Sequence, residues 1–211
     1  MNKKLVPSSN KIARYAQEQR VSKLVVAADT LLWAPNGYHP VRVDEKVPQI
    51  HGVDWIDAIR GWKIDDKNKV AHPDGRPLGD KFGLEVFSAN NPDGIGWLFQ
   101  PESWTTHYAF VYGMAGTLDW SFFTELNAVL VDKNDILDYL TNKGMPSYES
   151  VINLFDEYAM EVYRGRHCFY ELEFSGLLLS QNADSIEHPL NIQIPLDEVK
   201  KIATDIIQWH A

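Results

Sequence analysis

The stretch that decides the fold is residues 106–144, THYAFVYGMAGTLDWSFFTELNAVLVDKNDILDYLTNKG. Its opening residues combine β-branched and aromatic side chains and predict a strand, and the run NAVLVD predicts another. The run KNDILDYLTNKG that follows predicts a helix closed by Gly144. Strands and helices do not alternate regularly along the rest of the chain, so a doubly wound parallel sheet is disfavoured.

The segments before this stretch predict one helical region and several turns. Residues 11–32 carry apolar side chains on one helical face and predict one long helix or two short ones. Pro-Asn-Gly at residues 35–37 predicts a hairpin, and the prolines around it keep its flanks near a sheet edge. Residues 52–62, GVDWIDAIRGW, predict a short helix or turn that Asp54 would cap.

Residues 63–106 are a loop-rich aromatic tract that predicts strands separated by tight turns. Pro-Asp-Gly occurs twice in it, at residues 73–75 and 92–94. Proline presets φ, aspartate hydrogen-bonds its own backbone and glycine accepts a positive φ, so turn formation alone explains both motifs. FGLEVF, residues 82–87, alternates in the manner of a strand.

Three segments of the second half predict a helix, a strand and a final helix. They are SYESVINLFDEYAMEVYRG (147–165), HCFYELEFSGLLLSQ (167–181) and PLDEVKKIATDIIQWHA (195–211). The pattern as a whole predicts a single α+β domain over residues 1–211, in which amphipathic helices pack on a largely antiparallel sheet.

Charge is distributed unevenly along the chain, whose net charge is −9. Residues 1–105 carry 14 basic and 13 acidic residues, whereas residues 106–211 carry 6 basic and 16 acidic ones. An acidic second half repels a phosphate backbone and attracts a basic protein, so we expect a basic protein partner and no nucleic acid. Aromatic residues make up 12% of the chain, which indicates a core rich in aromatic side chains or an exposed recognition surface.

The single cysteine, Cys168, excludes a disulfide within the chain and is typical of a reducing compartment. Alternation on its strand places Cys168 with the apolar residues, which favours a buried structural thiol over a nucleophile. The N-terminal residues lack the apolar run of a signal peptide, and no apolar run is long enough to cross a bilayer. We therefore expect a cytoplasmic protein that does not bind membranes.

No familiar catalytic motif occurs, since the chain has no phosphate-binding loop, no paired CxxC, no HExxH and no GxSxG. The best constellation is His167 with Glu171 and Glu173 on one strand face, because a histidine and two carboxylates can bind a metal or move a proton. A solvated strand face explains the same pattern. The alternative function is a metal-dependent hydrolase with a dispersed site, built from His72, Asp74, His107, Glu171 and Glu173.

The leading hypothesis is a non-enzymatic, acidic protein-binding module, such as an immunity-type inhibitor of a basic toxin or enzyme. The residues predicted to contact the basic partner are Asp132, Asp135, Asp138, Asp156, Glu157 and Glu161. Their spacing puts Asp135 with Asp138, and Glu157 with Glu161, on shared helix faces. This hypothesis includes no cofactor and no metal, and a structural or assembly subunit is the third possibility.

Overall fold

Ten strands form two sheets in the computed structural model, which describes residues 9–43, 51–71, 73, 79–87, 95–145, 147, 149–150, 153, 168–171, 178–181 and 190–211. The first sheet contains, in spatial order, β1 (Pro40–Arg42), β2 (Trp55–Asp57), β3 (Lys63–Ala71), β5 (His107–Ala115), β6 (Phe123–Asp132) and β10 (Asp205–His210). The second contains β4 (Lys81–Phe87), β9 (Leu190–Pro195), β8 (Leu178–Gln181) and β7 (Cys168–Glu171).

Three α-helices have both ends within the described residues: α1 (Ser9–Ala28), α2 (Lys133–Asn142) and α3 (Leu196–Lys201). Within the described residues, β3 and β5 form the one parallel pair, and the other paired strands run antiparallel. The prediction of an α+β fold with a largely antiparallel sheet is therefore confirmed.

The central strands β5 and β6 are buried on both faces, and each face belongs to a different core. On β5, Tyr108 and Phe110 pack toward the second sheet, whereas Ala109 and Val111 pack toward α1. The core on the α1 side also contains Leu24, Ala28, Leu32, Trp33 and Trp55. A strand covered on both faces needs consecutive apolar residues rather than alternation, which is the pattern of YAFVY in β5.

The end of α1 differs from the predicted hairpin. The helix continues into a π-helical turn, Asp29–Trp33, and a 3₁₀ turn, Ala34–Asn36. Gly37 then adopts a φ of 77°, and its N–H donates to the Ala34 carbonyl at 3.2 Å. The Pro-Asn-Gly sequence therefore ends a helix, because proline fits the first turn of a 3₁₀ helix and glycine supplies the left-handed residue after it. The strand that follows, β1, lies at the sheet edge, as predicted.

Three further segments differ from their predictions because pairing between strands outweighs local propensity. The segment predicted to form a short helix or turn contains β2, which pairs with β1 on one side and β3 on the other, and the predicted turn follows it at residues 58–60. The final helix stops at Lys201, and the chain then forms β10 along the open edge of β6. Residues 167–181 contain two antiparallel strands, β7 and β8, rather than one strand.

Local signals predicted α2 correctly. The Asp132 side chain accepts a hydrogen bond from the Asn134 N–H at 2.7 Å and caps the start of the helix. Gly144 follows the helix with a φ of 85°, as expected of a glycine end. The helix predicted over residues 147–165 lies almost entirely outside the described residues.

Candidate functional site

Pairing of β2 with β3 brings three charged side chains together, which we call the carboxylate–lysine cluster: Asp54, Asp65 and Lys67. Asp65 and Lys67 are two residues apart on β3 and therefore share one face of the strand. The Lys67 Nζ atom lies 2.7 Å from Asp65 Oδ1. Asp54 immediately precedes β2, where its N–H donates to the Ile64 carbonyl at 2.8 Å.

The two carboxyl groups of the cluster share one environment. Asp65 is only 5% exposed, and burial raises its pKa. Asp54 is exposed to solvent overall, but its carboxyl group lies on the side that faces the protein. Desolvation of this carboxyl group raises the pKa of Asp54, and the charge of Asp65 raises it further. The two groups lie within hydrogen-bond reach of each other, and the negative charge of Asp65 opposes ionisation of Asp54.

Lys67 supplies a permanent positive charge to the cluster. Burial alone would lower the pKa of Lys67, but the carboxylates of Asp65, Asp54 and Glu85 outweigh it and raise that pKa instead. Lys67 therefore stays protonated at neutral pH. An ammonium ion held against the Asp65 carboxyl group can stabilise negative charge that develops on a bound anion.

Two more polar groups lie near the cluster, one on β5 and the other at the start of α2. Tyr108 is the register partner of Asp65 on β5 and is 1% exposed. Its hydroxyl is buried and has no hydrogen-bond partner among the described residues. Lys133, at the start of α2, donates from Nζ to the Trp97 carbonyl at 3.2 Å. Burial lowers the pKa of Lys133, and the charge of Asp65 opposes that shift.

The opposite face of β3 carries a separate ionic network. Arg42 on β1 forms ion pairs with Asp66 Oδ2 and Asp29 Oδ1, each at 2.5 Å. The indole N–H of Trp55 donates to the second oxygen of Asp66 at 2.8 Å. These contacts tie the end of α1 to β1, β2 and β3, and so hold the strands that position the cluster.

The residues predicted to contact a basic partner divide into two groups. Asp132 is the N-cap of α2, and Asp135 and Asp138 are exposed on the same helix. The other three, Asp156, Glu157 and Glu161, lie outside the described residues.

The residues of the predicted dispersed site are not seen together in the described part of the chain. His107 stacks on Trp62 with ring centroids 4.0 Å apart, and its Nε2 atom is 3.8 Å from Asp132 Oδ2. Burial lowers the pKa of His107. His72, Asp74 and Glu173 lie outside the described residues. The backbone of Glu171 lies in β7, but its side chain is outside the described part of the structure.

The carboxylate–lysine cluster does not emerge from the sequence because DDKNK, residues 65–69, falls in the loop-rich aromatic tract and has no strand assignment there. A strand assignment for KIDDKNKV would have placed Asp65 and Lys67 on one face. Nothing local to Asp54 indicates that it joins them, since β2 is a strand of three residues.

Most of the described aromatic side chains lie in the two cores or pack against them. An apolar groove nevertheless lies open to solvent. Trp33 and Trp55 are completely buried. A groove of about 630 Å³ separates α1 from the connection between β5 and β6, with Trp120, Phe122 and Trp209 among its lining residues. Phe122 is 51% exposed.

Comparisons of the chain with protein-family models, curated proteins and solved structures find no match. Among the described side chains, no group of three or more histidine, cysteine, aspartate or glutamate residues is placed to hold a metal ion. None of the described helices combines the length and the apolar character that a membrane span requires.

Proposed function

We propose that the protein is a metal-dependent hydrolase that cleaves phosphodiester bonds at the carboxylate–lysine cluster. One observation carries the proposal: Asp65, a buried carboxyl group, contacts Lys67 at 2.7 Å and lies within hydrogen-bond reach of Asp54. Holding the buried carboxyl group of Asp65 beside a lysine and a second carboxyl group is costly for the fold, and such arrangements concentrate at functional sites.

A magnesium or manganese ion suits these two carboxyl groups. Mg²⁺ in proteins is commonly held by one or two carboxylates, and waters and substrate phosphate oxygens complete its six ligands. Asp54 and Asp65 would bind the cation as carboxylates, so cation binding would favour their ionised forms. The bound cation would supply a Lewis acid that polarises the phosphoryl group and lowers the pKa of a coordinated water.

Lys67 would stabilise the negative charge that grows on the phosphoryl oxygens as water attacks phosphorus. The new bond joins the water oxygen to phosphorus, and the bond between phosphorus and the leaving ester oxygen breaks. The water gives a proton to solvent, and the leaving oxygen takes one from solvent. Because Lys67 is already protonated, its role is electrostatic rather than that of a general base.

The choice of an anionic substrate follows from the charges around the cluster. Lys67 on β3 and Lys133 at the start of α2 both lie near Asp65. Two lysines and a divalent cation would exceed the charge of two carboxylates, which favours a negatively charged ligand. The acidic residues that led us to expect no nucleic acid are concentrated in the second half of the chain, whereas the cluster belongs to the first.

The test is hydrolysis of bis(p-nitrophenyl) phosphate and of labelled single-stranded DNA, duplex DNA and RNA, with Mg²⁺, Mn²⁺ or EDTA. We expect cleavage that requires the cation and that falls about 100-fold or more in Asp54→Asn and Lys67→Ala. Asp54→Asn is the safer variant because Asp54 is exposed and its replacement leaves the core intact. The polymer that is cleaved fastest identifies the substrate class.

The matched controls are Asp138→Asn and Lys143→Ala, which remove one charge of each sign from α2, away from the cluster. Both should retain full activity. Cleavage that is unchanged in Asp54→Asn and Lys67→Ala, or that EDTA does not inhibit, would contradict the proposal.

A protein-binding function is the second proposal, and two surface features support it. Asp135 and Asp138 form no ion pair with any described basic side chain, and the apolar groove beside α1 leaves Phe122 exposed. Exposed apolar patches and unneutralised acids are both typical of partner surfaces. The test is binding to a cationic ribonuclease as a probe at rising salt. We expect steep weakening with salt and further loss in the double variant Asp135→Asn, Asp138→Asn, whereas equal binding by that variant would contradict a role for α2.

A further inference from the structure

The start of β5 brings a hydroxyl, an imidazole and a carboxylate together, on Thr106, His107 and Asp132. Thr106 immediately precedes β5, His107 is its first residue, and Asp132 is the register partner of His107 at the end of β6. The Thr106 Oγ1 atom lies 2.9 Å from His107 Nδ1. The other ring nitrogen, Nε2, lies 3.8 Å from Asp132 Oδ2. One nitrogen of the imidazole therefore meets a hydroxyl and the other faces a carboxylate.

The surroundings hold this imidazole in one orientation. His107 is 4% exposed, and its ring stacks on the indole of Trp62. The carboxylate of Asp132 is fixed in turn, because its other oxygen accepts the hydrogen bond from the Asn134 N–H. A carboxylate only accepts hydrogen bonds, so the ring nitrogen that faces it carries the hydrogen. The Nδ1 atom then has a lone pair for the hydroxyl hydrogen of Thr106.

Thr106 combines exposure with a contact that assists the loss of its proton. The residue is exposed, whereas the imidazole beside it is buried. The backbone N–H of Lys63 donates to Thr106 Oγ1 at 2.9 Å and so stabilises negative charge that develops on this oxygen. The hydroxyl hydrogen has two acceptors within reach, His107 Nδ1 and the Lys63 carbonyl, which is 3.2 Å away. The imidazole is the closer of the two and is the one that can take up a proton.

We propose that Thr106 is the nucleophile of an acyl-transfer site that hydrolyses carboxylic esters, with His107 as its general base and Asp132 as the positioning residue. Sites of this kind are recognised by geometry and roles rather than by order along the chain. The base must lie within about 2.6–3.2 Å of the nucleophile, and the hydroxyl and imidazole meet that requirement. The longer contact with Asp132 shortens when the imidazole gains a proton, since catalytic hydrogen bonds tighten during the reaction.

The reaction takes place in two steps and needs no cation. In the first, Thr106 Oγ1 bonds to the ester carbonyl carbon while its proton passes to His107 Nδ1. The bond from that carbon to the alcohol oxygen breaks, and the alcohol leaves with the proton. In the second, water attacks the acyl-threonine and gives a proton to His107. The acid leaves as Thr106 regains its hydroxyl, so one ester and one water yield one acid and one alcohol.

The surface beside Thr106 favours an ester that carries an apolar group. Trp104 is 40% exposed, and its indole stacks on the imidazole of His51 with ring centroids 4.4 Å apart. The ammonium group of Lys63 lies 5.0 Å from the centre of the same indole. Lys63 thus contacts both the exposed indole and the hydroxyl of Thr106, and an aromatic group of the ester can pack against that indole.

The experiment measures hydrolysis of p-nitrophenyl acetate in EDTA, so that the cation required at the carboxylate–lysine cluster is absent. Thr106→Val removes the hydroxyl, keeps the shape of the side chain and should reduce hydrolysis to the rate in buffer alone. Thr106→Ser keeps a hydroxyl and should remain active. His107→Gln should lower kcat about 100-fold or more. Mass spectrometry of acid-quenched protein should find the acetyl group on Thr106.

Asp132→Asn tests the positioning role separately, because asparagine caps a helix as well as aspartate does but carries no charge. It should lower kcat about 10-fold or more and leave KM and the melting temperature unchanged. An unchanged kcat would show that Asp132 serves only to cap α2, and would overturn its role in the site.

Thr124 and His210 supply the matched controls, since they are a second exposed threonine and histidine that lie close together, at the other end of β6. Thr124→Val and His210→Gln should hydrolyse the ester at the unaltered rate. Hydrolysis that is unchanged in Thr106→Val, or an acetyl group on another side chain, would overturn the inference. So would an unaltered protein that hydrolyses the ester no faster than buffer does. Cleavage of phosphodiesters is decided separately by the cation-dependent assay.

Discussion

At the scale of the residue, Asp65 and Asp66 are neighbours in the chain, yet their side chains belong to different parts of the molecule. The two-residue period of β3 sends Asp65 to the carboxylate–lysine cluster and Asp66 to the ionic network of Arg42. Both carboxyl groups are buried, and burial raises the pKa of each. Asp66 has a bound guanidinium and an indole N–H as partners, whereas Asp65 has a lysine and a second carboxyl group.

The raised pKa values of Asp54 and Asp65 predict how pH controls cation binding. Their pKa values are raised in the folded state, so they contribute stability at low pH that is lost as pH rises through those values. A cation competes with the proton for the same oxygens. The rise in melting temperature caused by Mn²⁺ should therefore grow as pH rises from about 4, the ordinary pKa of an aspartate, toward neutral pH. Scans with Mn²⁺ and with EDTA over this range check the prediction, and a pH-independent difference between them would contradict it.

The ionic network predicts a large cost for removing its cation. Arg42→Met leaves Asp66, whose side chain is 5% exposed, without its guanidinium partner. Breaking a buried pair in this way should lower the free energy of unfolding by about 3–5 kcal/mol. The matched control is Lys23→Met, which breaks the exposed ion pair with Asp119 and should leave stability unchanged within error. Urea denaturation measures both, and equal stabilities for the two variants would show that the Arg42 network does not stabilise the fold.

At the scale of the element, the sequence predicted those parts whose signals are local. The strands and helix of residues 106–144 follow from β-branched and aromatic runs, an N-cap aspartate and a terminal glycine. The strands β2 and β10 could not be predicted, because each exists through its pairing with a distant strand. In residues 205–210, the apolar spacing over six positions fits a helix and a strand equally well.

The candidate site was unpredictable for the same reason. Asp54 meets Asp65 only through the register that pairs Trp55 with Ile64, and a three-residue strand leaves no pattern from which to infer a register. Tyr108 joins them through a parallel pairing with β5, and that pairing spans more than forty residues of chain. The leading function predicted from the charge of the second half is not tested by the fold and stays a prediction.

The pairing of β5 with β6 predicts an intolerant glycine. A Cβ atom at Gly113 would lie 2.2 Å from the Glu125 carbonyl oxygen, which the antiparallel ladder holds in place. Gly113→Ala should lower the free energy of unfolding by about 3 kcal/mol or more, because the two strands must separate. Gly37→Ala is the control, since its Cβ meets nothing within 4 Å and only its φ of 77° is strained.

That strain should cost about 1–2 kcal/mol. Chemical denaturation of both variants measures the two costs. A larger loss at Gly37 than at Gly113 would mean that β5 and β6 are not as closely paired as the structure has them.

At the scale of the whole molecule, β5 and β6 unite two cores. One face of these strands packs against α1, and the other packs against the second sheet. Neither core can lose its packing without exposing a face of the same two strands. The carboxylate–lysine cluster lies on the face of the first sheet that looks toward the second sheet, so its geometry depends on both sheets remaining in place.

Shared central strands predict that both cores unfold in one step. Leu32→Ala and Leu84→Ala each empty a completely buried position, in the α1 core and the second-sheet core respectively. Each should lower the free energy of unfolding by about 2–5 kcal/mol. Five of the seven tryptophans, Trp33 and Trp55 among them, belong to the α1 core or pack against it, so tryptophan fluorescence mainly reports that core. Far-ultraviolet circular dichroism reports both sheets. The two probes should give the same urea midpoint in each variant. If Leu84→Ala lowered the dichroism midpoint and left the fluorescence midpoint unmoved, the second sheet would unfold independently, and β5 and β6 would not couple the two cores.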